Sequence, residues 1–423
     1  MSTLAPVPWA APMAASPVRA RVVVPGSKSA TARALLLSAI ADGPGTITGP
    51  LEARDSQLMR EALRALGATI DDSDHLTWKV TPAATVAAAT EIDCGLAGTV
   101  MRFVPPVAAL ADGTTRFVGD PYASARPVQP ILDGLRQLGA TVDGDELPFA
   151  VTGPVTGGSA SIDASGSSQF VSGLLLAGAR FPGGLTLRHD GDSAVPSRRH
   201  IDMTVEWLRM RGVVVTQPDD ETWVVAPGPI SAIAATVEPD FMTAAPFLAA
   251  ALVTGGSVTV AGWPKTSTQP GMDLGDVLAE FGASATLDEE GLTVSGPGRI
   301  HGVDLDLHDA SELVPVAAAL AALAVSPSVI RGVAHIRGHE TDRLAALSAE
   351  ITGLGGSCVE TADGLDITPA PLHPGTFHCY ADHRLAHAGA VLGLVRPGIV
   401  LDDVACTSKT MPRFPETWMG MLR

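Results

Sequence analysis

Apolar positions along this 423-residue chain predict two kinds of helix that alternate, each followed by Gly or Pro and a strand. The first kind is amphipathic, as where Leu58, Leu63 and Leu66 share one face opposite charged residues. The second kind is apolar nearly all round, as in the run 244–252. Such a helix is typical of a domain interior, so each pair of helices with its strands predicts one α/β layer.

The pattern recurs about every 70 residues, which indicates a repeat architecture. The amphipathic helix ends at a Gly turn in five places: Gly67, Gly139, Gly212, Gly282 and Gly355. The apolar helix occurs six times, so the last repeat is incomplete, and we expect the N-terminal segment 18–24 to supply its missing strand. This predicts an α/β protein of two domains with three repeats each. One is discontinuous, 1–24 plus 239–423; the other is continuous, 25–238; the active site is expected in the cleft between them.

Charge and cysteine content narrow the class of protein. The chain has 28 Lys and Arg against 45 Asp and Glu, a net charge of −17, and this argues against nucleic acid as a partner. Its four cysteines form no C-x-x-C pair and are expected to be reduced thiols in the cytoplasm. The N-terminus lacks the basic region of a signal peptide, and no apolar run reaches the roughly 18 residues of a membrane helix. We expect no membrane association.

Small polar and basic residues gather where the apolar helices begin. Free N–H groups and the helix dipole make such ends favourable for anions. Ordinary N-capping accounts for the Ser and Asp residues there. It does not account for the cations just inside the helices, where the dipole opposes them: Lys28, Arg33, Arg102 and Arg384.

The starts of the amphipathic helices carry a second set of polar and basic residues. Their segments are Arg54-Asp55, Ser124-Ala125-Arg126, Ser197-Arg198-Arg199-His200, Lys265-Thr266-Ser267, His339-Glu340-Thr341-Asp342-Arg343 and Ser408-Lys409. Solvated surface charge is the simpler explanation, but it does not explain why few basic residues concentrate at equivalent repeat positions. Equivalent positions lie at one end of a domain, so a cationic cleft is predicted. Its ligand would carry several negative charges, such as phosphate and carboxylate.

Several familiar motifs are incomplete. Pro25-Gly26-Ser27-Lys28-Ser29 resembles a P-loop, but Ser27 replaces the Gly before Lys. His383 and His387 have the i,i+4 spacing of a metal pair without a third ligand, although His378 is close in sequence. A structural histidine pair is the preferred interpretation, and no metal site is predicted.

Taken together, six segments resemble the family of 5-enolpyruvylshikimate-3-phosphate synthases over residues 22–412. They are Pro25-Gly26-Ser27-Lys28-Ser29 with Arg33, Leu96-Ala97-Gly98-Thr99 with Arg102, Ser167-Ser168-Gln169, Glu340-Thr341-Asp342-Arg343-Leu344, Asp382-His383-Arg384 and Thr407-Ser408-Lys409-Thr410. The resemblance implies a two-domain inside-out α/β barrel, the enolpyruvyl transferase fold, in which each domain has three copies of one α/β unit. It also implies transfer of the enolpyruvyl group of phosphoenolpyruvate to the 5-hydroxyl of shikimate 3-phosphate, by a monomer without metal or cofactor.

The resemblance assigns roles to particular residues. The phosphoenolpyruvate ligands would be Lys28, Gly98, Arg126, Gln169, Arg343, Arg384 and Lys409. The shikimate 3-phosphate ligands would be Lys28, Ser29, Arg33, Ser167, Ser168, Gln169, Ser197, Glu312 and His339. Glu340, assisted by Lys409, would donate the proton and Glu312 would act as base, with Lys28 also catalytic. Gly98 predicts a roomy phosphoenolpyruvate pocket that accepts the inhibitor glyphosate.

The chain departs from the usual family pattern at several positions. His339 stands where Lys is most often found, and His335, His200, Glu312 and Phe103 replace Asn, Tyr, Asp and Pro. The Lys-to-His change matters most, because an ordinary histidine is mostly neutral near pH 7.5. We therefore hypothesise that His339 contacts the shikimate hydroxyl region and helps to set the proton balance beside Glu340.

The sequence disfavours three alternative functions. The sister enzyme acting on UDP-N-acetylglucosamine shares the fold but has Lys-Asn in place of Lys28-Ser29 and a reactive Cys near Arg126, where residues 121–127 contain none. An inactive scaffold would have no need for both Glu312 and Glu340. An RNA-end-processing enzyme conflicts with the acidic charge and with the low aromatic content of 4%.

Overall fold

A computed structural model describes residues 6–121 and 123–423 of the chain. Contacts divide it into two compact units. The continuous unit is Gly26–Val237, and the discontinuous unit is Met1–Pro25 together with Glu238–Arg423. Within the described residues each unit has its own apolar core, one built around the helices of 26–237 and the other around those of 238–423.

Six helices are buried on nearly every side, as their uniform apolar pattern predicts. They are α1 (Lys28–Ala39), α3 (Gly98–Ala108), α5 (Ser168–Gly178), α7 (Phe241–Thr254), α9 (Val314–Leu323) and α11 (His383–Gly393). Ala and Leu are their commonest residues, and glycines allow close approach where helices meet; an added Cβ on Gly173 of α5 would lie 2.3 Å from the carbonyl oxygen of Arg102 on α3. The buried helices are therefore the centre of each unit.

The other six helices have one apolar face. They are α2 (Arg54–Ala65), α4 (Gln129–Gln137), α6 (Arg199–Arg209), α8 (Leu274–Glu280), α10 (Arg343–Gly353) and α12 (Phe414–Met421). Five of them end at a glycine with positive φ, the conformation that the repeated Gly turns require: Gly67, Gly139, Gly212, Gly282 and Gly355. Three short 3₁₀ helices precede α9, α10 and α12 at His308–Leu313, Ala334–Gly338 and Ala405–Lys409.

Five four-stranded sheets share one strand order, in which the first two strands are parallel and the others antiparallel. In the continuous unit the orders are β14 (Ala234–Thr236), β3 (Gly45–Thr48), β5 (Thr77–Thr81), β4 (Thr69–Asp71); β6 (Glu91–Asp93), β7 (Gly113–Val118), β9 (Phe149–Gly153), β8 (Thr141–Asp143); and β10 (Gly158–Ile162), β11 (Leu185–His189), β13 (Thr222–Val225), β12 (Val215–Asp219). In the discontinuous unit they are β2 (Arg19–Val22), β15 (Ser257–Ala261), β17 (Gly291–Ser295), β16 (Ser284–Asp288); and β18 (Asp304–Asp306), β19 (Ser328–Arg331), β21 (Leu365–Thr368), β20 (Ser357–Glu360).

The N-terminal strand joins a different sheet from the one predicted. Strand β2 pairs in parallel with β15, which follows α7 in the fourth repeat, and not with the sixth repeat. Strand β14, which directly precedes α7, pairs instead with β3. The first and fourth repeats have thus exchanged their first strands. The prediction was wrong because it assumed that the sheet lacking a strand was the one in the last repeat. The sheet edge that β2 completes lies beside β15, in the fourth repeat.

The sixth sheet is shorter and has its own N-terminal strand. Strands β22 (Gly375–Phe377) and β23 (Ile399–Leu401) are parallel, and β1 (Trp9–Ala10) lies antiparallel to β23. A two-residue strand leaves no readable alternation in the sequence. Among the described residues, no helix is long and apolar enough to cross a membrane.

Candidate active site

In the continuous unit, the predicted residues lie at or near helix starts, in a group we call the Lys28 cluster: Lys28, Ser29, Arg33, Gly98, Arg126, Ser167, Ser168, Gln169 and Ser197. Ser27 caps α1 by accepting from the N–H of Ala30 at 3.4 Å. Lys28 is the first residue of that helix, and its Nζ lies 3.6 Å from Asp55 Oδ2 at the start of α2. Sequence reasoning does not assign Asp55 to the site, although Asp55 follows Arg54 in a polar segment.

Arg33 connects α1 with α5 and α6 inside this unit, and its Nη2 donates to Ser172 Oγ of α5 at 3.3 Å. Its Nε donates to Thr204 Oγ1 at 2.8 Å, its Nη1 to the carbonyl of Ser29 at 2.9 Å, and its Nη2 to the carbonyl of His200 at 2.8 Å. Burial lowers the pKa of Arg33 to about 9, since no carboxylate compensates the loss of water. The guanidinium therefore fixes the backbone of Ser29 against α6, and few of its donors remain for a ligand.

Arg102 has a similar connecting role around Gln169. Its Nη1 donates to Gln169 Oε1 at 2.8 Å, and its Nε and Nη2 donate to the carbonyl of Pro127 at 3.2 and 2.9 Å. Burial, and then the positive charge of Arg126, hold the pKa of Arg102 well below its usual range. The sequence singled out Arg102 as an unusual cation without assigning it a role; the structure makes it a link between α5 and the segment before α4.

Gly98 and Arg126 are in close contact. Arg126 Nη1 donates to the carbonyl of Leu96 at 2.8 Å, and a Cβ added to Gly98 would lie 2.8 Å from Arg126 Nη2. The absence of a side chain at Gly98 therefore allows the guanidinium to lie against the start of α3. Nearby, Ser167 caps α5 by accepting from Gln169 N, and Ser197 adopts a φ of +50°, a left-handed conformation that is uncommon for serine.

In the discontinuous unit, the predicted residues Glu312, His339, Glu340, Arg343, Arg384 and Lys409 form what we call the Glu340 cluster. Glu340 Oε1 accepts from Lys409 Nζ at 2.7 Å, and its Oε2 lies 3.0 Å from His383 Nδ1. Arg384 Nη2 lies 3.4 Å from Glu312 Oε2. Both predicted carboxylates are thus in contact with predicted cations.

Asp382 organises the arginines of this cluster. It caps α11 by accepting from the N–H of Arg384 at 2.8 Å, and the same carboxylate accepts from Arg343 Nε at 2.7 Å and Nη2 at 3.1 Å. Burial alone would lower the pKa of Arg343, but Asp382 and then Glu340 and Glu312 raise it overall. Sequence reasoning places Asp382 in the Asp382-His383-Arg384 segment without assigning it to the site; its N-cap position before Arg384 is the signal that could have found it.

Two guanidinium nitrogens of Arg384 point to a ligand. The residue is 4% exposed, and its Nε and Nη1 have no hydrogen-bond partner among the described residues. Buried guanidinium groups are ordinarily satisfied. An anion bound at Arg384 would accept from one of these two nitrogens.

The histidines near the Glu340 cluster are kept neutral by burial. Burial lowers the pKa of His383 despite the opposing charge of Glu340, and it lowers that of His387 well below the usual range, followed by the effects of His383 and Arg384. His335, where the family usually has Asn, has its pKa lowered to about 4 by burial and then by His308. The His383–His387 pair is therefore an uncharged interior pair.

Glu340, Asp382 and His383 are the one group of three potential metal ligands found in the described residues. Both carboxylates are already paired, Glu340 with Lys409 and Asp382 with Arg343. Cations held this close would repel a metal ion, so we interpret the group as an ion-pair network.

Comparisons with known proteins agree on one family. A family model described as EPSP synthase (3-phosphoshikimate 1-carboxyvinyltransferase) matches residues 12–418. A curated 3-phosphoshikimate 1-carboxyvinyltransferase of Kocuria rhizophila is 52% identical over 428 residues, covering 98% of this chain and 96% of that protein. Two solved structures of EPSP synthase from Acinetobacter baumannii, each 24% identical, have TM-scores of 0.81 and 0.78 and cover 97% and 96% of both chains. The structural likeness shows that the fold is shared.

Proposed function

Because the chain belongs to the EPSP synthase family, the 3-phosphoshikimate 1-carboxyvinyltransferases, we propose that the Lys28 and Glu340 clusters are its substrate-binding and catalytic groups. The enzyme transfers the enolpyruvyl group of phosphoenolpyruvate to the 5-hydroxyl of shikimate 3-phosphate and releases phosphate, a step of the shikimate pathway of aromatic amino acid biosynthesis. What remains to be assigned is which residue does which part of this reaction.

Phosphoenolpyruvate is bound by the cations of both clusters. Arg384 supplies N–H donors of its guanidinium, whose Nε and Nη1 have no partner among the described residues, and Arg343, held rigidly by Asp382, supplies a second guanidinium. Bidentate guanidinium groups suit carboxylate and phosphate, whereas lysines act as point charges. The remaining ligands are Lys28, Gly98, Arg126, Gln169 and Lys409, with Arg102 positioning Gln169.

Shikimate 3-phosphate is bound by the hydroxyl groups and cations of the Lys28 cluster and by two residues of the Glu340 cluster. Its ligands are Lys28, Ser29, Arg33, Ser167, Ser168, Gln169, Ser197, Glu312 and His339. Ser168 begins α5, so the substrate phosphate also meets a helix N-terminus. Because most Arg33 donors are engaged within the protein, we assign it mainly to positioning Ser29.

The observation that carries the catalytic assignment is the contact of Glu340 with Lys409 and His383. In an addition–elimination mechanism, the substrate hydroxyl attacks C2 of phosphoenolpyruvate while the methylene carbon gains a proton, and the tetrahedral intermediate then loses a methyl proton and phosphate. Glu340, sharing its charge with Lys409, delivers and removes the proton at carbon. Glu312 accepts the hydroxyl proton, and Lys28 stabilises the phosphate as it leaves.

The two units act as domains, 1–24 plus 239–423 and 25–238, that both supply substrate ligands. The chain passes from one unit to the other only at Pro25–Gly26 and Val237–Glu238.

A phosphate-release assay with both substrates tests the residue assignments. Lys28→Ala and Glu340→Gln are expected to lower kcat by about 10²–10⁴-fold, the usual contribution of a charged or acid–base group. Lys79→Ala and Glu290→Gln are the matched controls, since both side chains are more than two-thirds exposed, and they should retain full activity. Near-normal rates in Lys28→Ala or Glu340→Gln would refute the corresponding role.

We infer further that the enzyme is a cytoplasmic monomer. All four cysteines are free, as expected for a reducing compartment. Size-exclusion chromatography with light scattering should give a mass near 43.3 kDa, and a dimer mass would contradict the inference.

A further inference from the structure

The turn that leads into α11 is strained. Tyr380 and Ala381 have φ values of +53° and +54°, the left-handed region that residues with a Cβ disfavour. They lie between β22 and Asp382, the residue that caps α11. Two successive residues in this conformation persist only where surrounding contacts hold them. The turn therefore depends on particular neighbours.

Glu350 is the first of these neighbours. Its Oε1 accepts from Tyr380 Oη at 2.6 Å, and its Oε2 accepts from the backbone N–H of His378 at 2.7 Å. The residue is 6% exposed, so both of its oxygens are satisfied inside the protein. Asp402 holds the adjacent residue, because its Oδ1 accepts from the N–H of Cys379 at 2.8 Å. Two carboxylates thus bind successive backbone N–H groups just before the turn.

Helix α10 holds the segment at two points. Arg343, its first residue, binds Asp382, and Glu350, seven positions later on the same helix face, binds Tyr380 and His378. The path of the chain between those points is fixed at both ends. Any relaxation of the turn would therefore shift Asp382 relative to Arg343 and tilt the start of α11, where Arg384 lies.

We propose that Glu350 and Tyr380 are positioning residues for the two arginines that bind phosphoenolpyruvate. They hold the strained turn, the turn sets the position of Asp382, and Asp382 orients Arg343 and the N–H of Arg384. The inference rests on the proposed roles of these arginines. Among the described residues, no hydrogen bond joins Glu350 or Tyr380 to either arginine, so both act through Asp382.

The hydrogen bond from Tyr380 to Glu350 is expected to persist across the neutral pH range. The hydrogen bond to Glu350, and to a smaller extent the partial burial of a residue that is still 44% exposed, raise the pKa of Tyr380 to about 12, so the phenol stays a donor throughout the neutral range. Tyr380→Phe keeps the ring and removes only this bond. Ala381→Gly, in contrast, removes the Cβ that disfavours the left-handed backbone.

Steady-state kinetics of the full-length enzyme test the proposal. Tyr380→Phe and Glu350→Gln are expected to raise KM for phosphoenolpyruvate about five- to tenfold, with smaller effects on kcat and on KM for shikimate 3-phosphate. Adding Ala381→Gly to Tyr380→Phe should restore most of the affinity, because glycine adopts the turn without support. Glu290→Gln, an exposed carboxylate change in the same unit, is the matched control and should leave all three constants unchanged.

Arg343→Lys separates this proposal from the proposed function. If Arg343→Lys raises KM for phosphoenolpyruvate and Tyr380→Phe does not, the positioning role is refuted and the binding role stands. If neither variant raises it, the assignment of Arg343 to phosphoenolpyruvate fails, and the positioning role fails with it. A Tyr380→Phe enzyme that loses thermal stability with unchanged KM would show that the bond to Glu350 stabilises the fold without positioning the arginines. Recovery of KM by Ala381→Gly supports the positioning role.

Discussion

Arg343 donates from Nη1 to Nδ1 of His339 at 3.1 Å. Arginine has no acceptor, so Nδ1 of His339 must offer a lone pair, and the proton of the neutral ring resides on Nε2. His339 therefore does not reproduce the positive charge of the Lys usual at this position. It presents a neutral N–H donor in the Glu340 cluster, held in orientation by an arginine.

This relationship predicts a specific pH effect at His339. Protonation of the ring would break the bond to Arg343 and place two cations together, so activity should fall on the acid side of neutrality. In His339→Gln the amide oxygen still accepts from Arg343 and does not titrate, and this acid limb of the kcat/KM profile should disappear. His339→Lys should raise KM for phosphoenolpyruvate, because its ammonium group lies beside Arg343. Unchanged kcat and pH profiles in both variants would show that His339 is indifferent to catalysis.

Gly98→Ala is expected to weaken phosphoenolpyruvate binding. The added Cβ would lie 2.8 Å from Arg126 Nη2 and 3.1 Å from Nη1, so the guanidinium must leave its place against α3 and its bond to Leu96. KM for phosphoenolpyruvate should rise about tenfold with little change for shikimate 3-phosphate. Gly43→Ala is the control, because its Cβ would meet only Ala232 at 3.8 Å.

The same variant tests the expected sensitivity to glyphosate. A pocket left open by Gly98 should bind the inhibitor tightly in the unmodified enzyme, and Gly98→Ala should weaken inhibition more than it weakens substrate binding. A millimolar inhibition constant for the unmodified enzyme would contradict the roomy pocket predicted from the sequence.

The sequence predicts the repeats and the helix starts that carry the proposed site residues, because both depend on local pattern. In the sequence, buried helices appear as uniform apolar runs, and helix starts appear as short segments of Gly, Ser and charged residues. The exchange of β2 and β14 is not readable, because both strands precede a buried helix and carry the same local signal. Pairing of strands so far apart in the chain is decided by which sheet edge is open in three dimensions.

The sequence likewise does not predict which residues pair with one another in the proposed site. Arg102 with Gln169 and Arg343 with Asp382 are separated by 67 and 39 positions, and no periodicity relates them. The sequence marked these residues as polar groups at helix starts. Only the packing of the helices decides which carboxylate neutralises which cation.

The contact between His378 and Asp402 predicts a pH-dependent stabilisation. Asp402 Oδ2 lies 2.8 Å from His378 Nδ1, and this bond raises the pKa of His378. Burial alone would raise the pKa of Asp402, but the Cys379 N–H and His378 lower it overall. The raised His378 pKa means that its contribution is complete below the unfolded value of about 6.5 and is lost as pH rises through the folded value. The lowered Asp402 pKa means that its contribution is lost only in acid.

A double-mutant cycle with His378→Gln and Asp402→Asn measures this effect. The coupling free energy from urea denaturation should be larger at about pH 5.5 than at about pH 8.5. Asn at position 402 still accepts from Cys379, so the cycle isolates the histidine. Equal coupling at both pH values would contradict the assignment.

Trp418 should be a principal stabilising residue of the discontinuous unit. It is fully buried in α12, and its ring lies 5.3 Å from that of Phe247 and 5.2 Å from that of Phe414. The contact with Phe247 attaches the last helix to α7, so the cavity left by Trp418→Ala should lower the free energy of unfolding by about 3–5 kcal/mol. Its neighbour Met419 is 41% exposed, and Met419→Ala should change stability by less than about 0.5 kcal/mol. Urea denaturation of the two variants distinguishes burial from helix propensity, because both substitutions introduce the same alanine into the same helix; equal losses would show that α12 is stabilised by its backbone and not by this aromatic contact.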